Sequence, residues 1–281
     1  MISRSLKAFA AVLLLAAISL PMSAQSLRTF DGSTANTLPA NDDGYVGPVS
    51  LGFNANFFGN TYNQTWVNNN GNLTFNGGVG TYTPYGLSAP GLPAMIAPFF
   101  ADVDTRSSSP VTYGAGILSG HNAFAANYAN VGVFNMLPYY NTFQVVLIDR
   151  SEIAAGDFDI EFNYTMLNWE AGTYSGGNNQ GLGGTSAVAG YTSGGSTYYQ
   201  LPGSLVNGAF LDTNLTTGLI YNSFGTPFDQ AAQNGRYTFN VRNGEVQPPV
   251  TPVPEPSTYG LMGATGLLGF AFLRRRFARK A

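Results

Sequence analysis

The sequence predicts an all-β fold, a single large antiparallel β-sandwich-like domain. Three observations carry that expectation. Gly (35 of 281 residues), with Asn and Thr, punctuates a series of short apolar runs. Unbroken alternation marks one of those runs, Asp157 to Tyr164, while helix-period patterns are few and short. Hydrophobic residues reach 44% and aromatics 14%, enough to fill a core, although only 10% of residues are charged where about 25% is usual.

Taken in order, the chain opens on residues with the three-part form of a secretory signal. Arg4 and Lys7 precede an apolar run from Ala8 to Leu20, and Pro21-Met22-Ser23-Ala24 offers a small-residue cleavage site. Residues 1–24 are therefore expected to be a signal peptide that engages the Sec machinery. Residues 25–243 are expected to form the β-domain. Within it, Asn70-Gly71 separates two β-rich runs in Thr65 to Phe75, a strong hairpin cue. Thr142 to Ile148 reads as a buried strand, and Asp149 to Gly156 as the hairpin loop that follows. From Asp157 to Tyr164 the alternation is unbroken. Phe158, Ile160, Phe162 and Tyr164 are expected to face the core, and Asp157, Asp159, Glu161 and Asn163 the solvent.

Further strands are expected at Ala187 to Tyr191, Thr197 to Leu201, Leu219 to Tyr221 and Tyr237 to Val241. His121 to Asn130 and Phe228 to Gln233 carry the best helical patterns, and Gly172 to Gly184 has the composition of a flexible loop. Residues 244–256 hold five prolines and form an extended, stalk-like linker. Beyond it, 18 uncharged residues from Pro256 to Leu273 would make a helix of about 27 Å, enough to cross the inner membrane. Residues 257–281 are thus expected to be a transmembrane helix with a basic tail, Arg274-Arg275-Arg276 staying cytoplasmic.

Composition excludes several function classes. There is no Cys and a single His, His121, which removes thiol nucleophiles, disulfides and multi-histidine metal sites; no cofactor is expected. Between Gln25 and Val253 only five basic residues, Arg28, Arg106, Arg150, Arg236 and Arg242, face fourteen carboxylates. Such a body offers nucleic acid no binding surface.

Four groups are candidates for chemistry. Asp102 and Asp104, two apart on an extended segment, project to one face and suit either Ca²⁺ or a capped turn. Asp157, Asp159 and Glu161 lie about 6.6 Å apart in alternate steps, a spacing open to a glycosidase carboxylate pair but also to the wet face of a sheet. His121 lacks any Gly-x-Ser-x-Gly partner and reads as a surface histidine. Tyr82, Tyr85, Tyr198 and Tyr199 suit either sugar stacking or edge packing.

Several segments together resemble the nidogen-like (NIDO) extracellular domain. The likeness runs through Phe57-Phe58-Gly59, the Asn70-Gly71 hairpin and above all Ile96-Ala97-Pro98-Phe99-Phe100-Ala101-Asp102-Val103-Asp104, with Phe100 where Trp is common. It continues in Thr142 to Leu147, Phe162-Asn163-Tyr164 with Trp169, Leu201-Pro202-Gly203-Ser204 and Gly235 to Phe239. The resemblance implies an extracellular adhesive or matrix module without a catalytic residue. At the C-terminus, Pro254-Glu255-Pro256, the Gly-rich apolar stretch and Arg274-Arg275-Arg276 are similar to the PEP-CTERM sorting signal of Gram-negative bacteria. That likeness implies recognition by exosortase, transient anchoring, and release to the cell surface or exopolysaccharide matrix. The expected function is non-enzymatic association with extracellular polysaccharide or surface proteins. The competing expectation is a polysaccharide-active hydrolase using paired carboxylates.

Overall fold

The computed structural model of the protein describes residues 27–229 and 233–247. Fourteen strands account for its regular structure: β1 (Asn36–Leu38), β2 (Tyr45–Phe57), β3 (Asn60–Asn68), β4 (Asn72–Thr74), β5 (Met95–Phe100), β6 (Val103–Asp104), β7 (Val111–Leu118), β8 (His121–Val133), β9 (Leu137–Asp149), β10 (Phe158–Leu167), β11 (Val188–Thr192), β12 (Tyr198–Gln200), β13 (Arg236–Arg242) and β14 (Glu245–Val246). They form two antiparallel sheets. The larger runs β1-β7-β8-β9-β10-β13-β14, with β6 added to β8, and the smaller runs β12-β11-β5-β4-β3-β2.

The inner faces meet in one continuous core. Phe143, Val145 and Leu147 of β9 and Phe158, Ile160, Phe162 and Tyr164 of β10 pack toward Phe57, Leu73, Ile96 and Phe99 of the other sheet. Alternation places them there, since every second side chain of a strand shares a face. Two tyrosines bridge the sheets with polar tips. Tyr164 Oη donates to the Pro98 carbonyl at 2.6 Å, and Tyr128 Oη donates to the Asn68 carbonyl at 2.7 Å. Trp169, fully buried, sets its edge against Phe99 at a centroid distance of 5.6 Å.

The expected hairpins form. Strand β3 turns into β4 through Asn69-Asn70-Gly71, with Asn68 opposite Asn72 and Gly71 at φ +77°. Strands β9 and β10 pair from Phe158 opposite Asp149 onward, so residues between them make the predicted loop. The core-facing set of β10 is the one alternation assigns.

Three expectations are corrected. Asp157, Asp159, Glu161 and Asn163 are not solvated; each is at most 1% exposed. The outer face of the large sheet is itself covered: Phe30 and Phe228 pack on Leu118, Ala123, Ala125, Val146 and Ile148. Arg28 lies over the neighbouring polar strip and reaches Glu161. Residues 121–130 are strand β8 rather than helix. Their small apolar residues fall on both faces of a buried central strand, which hides the period of two. Leu219–Tyr221 is a single 3-10 turn, closed by Tyr221 N–H to the Gly218 carbonyl at 3.1 Å. The N–H groups of Leu219 and Tyr221 go to the Phe210 and Gly218 carbonyls rather than to a neighbouring strand.

The 172–184 segment contains a 3-10 turn at Thr173–Ser175 and is pinned by Thr185 N–H to the Ser175 carbonyl. Phe228 and Asp229 form bends, and residues 230–232 lie outside the described ones. The expected signal peptide, the expected Pro-rich linker beyond Gln247, the sorting residues Pro254 to Pro256 and Arg274 to Arg276, and the expected transmembrane helix also lie outside them. Among the described residues no helix is long and apolar enough to cross a membrane.

Candidate functional site

Two regions carry side chains whose arrangement exceeds what packing needs: an acidic corner and an aromatic cleft. The acidic corner is built where the β1–β2 connection meets the Asn-rich hairpin and the Asp102–Asp104 segment. Asn41 starts it, its Oδ1 accepting from Gly44 N–H at 2.6 Å, while its backbone pairs with Thr105. Asn69 then ties the turn down by donating to the Asp42 and Val103 carbonyls. Asn70 Nδ2 donates to Asp43 Oδ1 at 2.8 Å, and Asn70 Oδ1 accepts from Val103 N–H at 2.9 Å. Both asparagines are buried, so each is committed to this brace.

These contacts gather carboxylates. One oxygen each from Asp42, Asp43 and Asp102 lies within 4.8 Å of the others. The two candidates of the sequence are separated by this geometry. Asp104, fully buried, is held by Arg106 through Nε at 2.9 Å and Nη2 at 2.7 Å, whereas Asp102 joins Asp42 and Asp43. Arg106 also reaches Asp42 at 3.0 Å. Asp102 is 2% exposed, its Oδ2 has no hydrogen-bond partner, and Asp42 Oδ1 is likewise buried without one. Burial, then the charges of Asp42, Asp43 and Asp104, raise the Asp102 carboxyl to about 7. Burial, Asp104 and Asp43 raise Asp42 to about 6 despite Arg106.

The buried acids of β10 are a different kind of cluster. Arg28 and Arg236 share Glu161, at 2.8 and 3.2 Å, and Arg28 also holds Asp229 at 2.9 Å. Asp159 is gripped by Arg150 and Arg242, each at 2.7 Å, and Asn240 donates to it at 2.7 Å. Charges balance here, two arginines to two carboxylates around Glu161. A hydrolase pair needs one acid free to carry a proton and another free to face substrate across a cleft. Asp159 and Glu161 are instead consumed by arginines inside the fold. His121 is half-buried at the start of β8, 4.8 Å from the Phe228 ring and 3.6 Å from Glu152.

The aromatic cleft, about 310 Å³, opens beside β12 and β13. Tyr199, Leu201, Phe224 and Tyr237 give it an aromatic and apolar lining, and Thr217 and Asn222 line it as well. Tyr199 and Phe224 lie 6.1 Å apart at 32°, and Phe239 backs both at 5.9 and 5.1 Å. The parallel bridge from Phe224 to Tyr237 fixes the two sides. Of the four tyrosines singled out in the sequence, Tyr199 lines this cleft. Tyr198 is exposed on the same strand, and Tyr82 and Tyr85 are exposed on a loop tied to β12 by Leu87 N–H to Gln200 Oε1 at 2.7 Å. Phe224 gave no sequence signal, because it falls in a stretch without alternation.

Two stacked antiparallel sheets, braced by buried polar networks and opened at one edge by an aromatic cleft, define a two-sheet β-module. The chain belongs to the NIDO-related family, which it matches over residues 22–241. Residues 252–276 match the PEP-CTERM protein-sorting motif, a span that includes Pro254-Glu255-Pro256 and Arg274-Arg275-Arg276. The chain is 32% identical to alpha-tectorin of Mus musculus over 191 residues, 59% of this chain and 9% of that protein. It is 31% identical to alpha-tectorin of Homo sapiens over the same length, and 31% identical to nidogen of Drosophila melanogaster over 193 residues, 58% of this chain and 14% of that protein. It therefore spans only 9% to 14% of these relatives' length. No solved structure matches. The sorting motif marks the chain as an exported protein destined for the surface or the extracellular space.

Proposed function

We propose that this protein is a non-enzymatic component of the cell surface or exopolysaccharide matrix, holding polysaccharide or neighbouring surface proteins through its NIDO-related domain. The observation that carries the reading is the pairing, in one chain, of that domain over residues 22–241 with a sorting motif over residues 252–276. In this reading the Sec machinery exports the chain, a C-terminal helix moors it in the inner membrane, and exosortase releases it by acting at the Pro254-Glu255-Pro256 signal. The aromatic cleft supports the binding role: its aromatic lining suits the face of a sugar ring, and the side-chain oxygens of Thr217 and Asn222 beside it can accept from sugar hydroxyls.

Two measurements test the proposal. Mass spectrometry of the extracellular protein should find its C-terminus at or before the Pro-Glu-Pro segment; an intact Ala281 in released material overturns the sorting step. Purified domain should be retained by the producing cell's own polysaccharide, and a Tyr199→Ala, Phe224→Ala double variant should lose about tenfold or more in retention, since stacked aromatics dominate such contacts. Equal retention of both proteins removes the cleft from the account.

A further inference from the structure

We propose that Asp42, Asp43 and Asp102 form a Ca²⁺ site that holds the β1–β2 turn against the Asp102–Asp104 segment. The first support is the convergence itself. Oxygens of one ion's shell at about 2.4 Å stand at most about 4.8 Å apart across the ion, and the three carboxylates meet within 4.8 Å. An all-oxygen set of three acids is the donor chemistry of a hard cation rather than of zinc or copper.

The second support is independent of the cluster's shape. Asp102 is 2% exposed and its Oδ2 accepts no hydrogen bond. That oxygen lies against Gly172, where an added Cβ would come within 2.2 Å of it. The Ser175 hydroxyl, which also pairs with Thr83 at 2.9 Å, is set toward the Asp102 carboxylate. A buried, unpaired carboxylate is costly to fold. Three other buried acids are answered: Glu161 and Asp159 with arginines, Glu170 with the Gly208 and Phe210 N–H groups. All five arginines of the domain are placed in ion pairs, and none of those pairs involves Asp43 or Asp102. Around the corner Asp42, Asp43, Asp102 and Asp104 face Arg106 alone among the described residues, leaving a charge deficit that a divalent cation would fill.

The experiment is calcium titration of the metal-stripped domain, followed by calorimetry and by thermal unfolding. One Ca²⁺ per chain is expected to bind. At about a hundredfold excess over the dissociation constant, Tm should rise by roughly 5 to 10 °C. Asp43→Asn keeps the acceptor for Asn70 on an exposed residue, so it should fold normally and lose the calcium response. Asp102→Asn should unfold at higher temperature than the stripped wild type, because repulsion is relieved, and should also ignore calcium. Asp31→Asn, on the surface outside the cluster, should respond like wild type. No heat and no Tm shift at 10 mM Ca²⁺ overturns the site. So does a shift that survives in both Asp43→Asn and Asp102→Asn, and an equal response to Mg²⁺ overturns the choice of metal.

Discussion

Arg28 closes a fork on Glu161, Nε to Oε1 at 2.8 Å and Nη2 to Oε2 at 2.9 Å, joining positions 133 residues apart in the chain. Both side chains are buried, 6% and 0% exposed, and Asp229 takes the rest of the guanidinium. Burial alone would weaken the Arg28 cation, but its two carboxylate partners raise its pKa above the usual arginine value. Removing Arg28 leaves Glu161 to Arg236 alone and takes the arginine partner from Asp229. Arg28→Ala should cost about 3 to 5 kcal/mol, seen as a fall in Tm of roughly 10 °C or more. The loss should persist at high salt, because screening hardly reaches buried pairs. A change under 1 kcal/mol would show the fork to be ornamental.

Tyr164 carries the contact that joins β10 to the smaller sheet. Tyr164→Phe keeps the ring and deletes the hydroxyl that serves the Pro98 carbonyl. A loss of about 1 to 2 kcal/mol is expected in denaturant unfolding, with an unchanged m-value. A neutral result would mean that water replaces the hydroxyl.

Gly71 and Gly59 both sit at positive φ, +77° and +80°, but their surroundings differ. A Cβ at Gly71 would lie 1.8 Å from the Phe99 carbonyl oxygen, while at Gly59 it would meet nothing within 4 Å. Gly71→Ala should therefore destabilise by about 2 kcal/mol or more, and Gly59→Ala by about 1 kcal/mol from backbone strain alone. Comparable losses at the two sites would mean that the hairpin yields more readily than its packing suggests.

Asp212 supplies one pH dependence, away from the acidic corner where Asp42 and Asp102 are also raised. Burial raises its carboxyl to about 6, and its Oδ1 is buried without a partner. A folded pKa above the unfolded value means the native state holds the proton more tightly. The contribution is therefore full below pH 4 and is lost as pH rises through about 6. Asp212→Asn should be more stable than wild type by about 1 to 2 kcal/mol at pH 8 and no more stable at pH 4, the figure discounted for partial exposure. The variant and wild-type stability curves should converge on acidification; parallel curves would remove Asp212 as the cause.

Much of the fold is legible in the sequence because strand periodicity is a local property. Phe158, Ile160, Phe162 and Tyr164 announce their shared face by spacing alone, and Asn70-Gly71 announces a turn by chemistry. What covers the opposite face of β10 is a matter of tertiary structure. Nothing near Glu161 in the sequence says that Arg28 and Asp229 will arrive over it, so an acidic stripe reads as wet when it is a dry ionic network. The same limit acts at the acidic corner. Asp102 stands out in the sequence, but Asp42 and Asp43, sixty residues earlier, join it only through the brace of Asn69 and Asn70. Residues 121–130 mislead for a third reason: a strand apolar on both faces carries no period to read.

The reach of Arg28 also orders the domain's assembly in time. A chain emerging N-terminus first delivers this arginine long before Glu161, and longer still before Asp229 and the last two strands, β13 and β14. Until those arrive, the guanidinium and the strip it will cover stay in water, and the outer layer over β8 and β9 cannot seal. The two ends of the domain are thus fastened by a single latch, and an incomplete chain stopping short of residue 229 would leave an open sheet exposed to proteases and to its own kind.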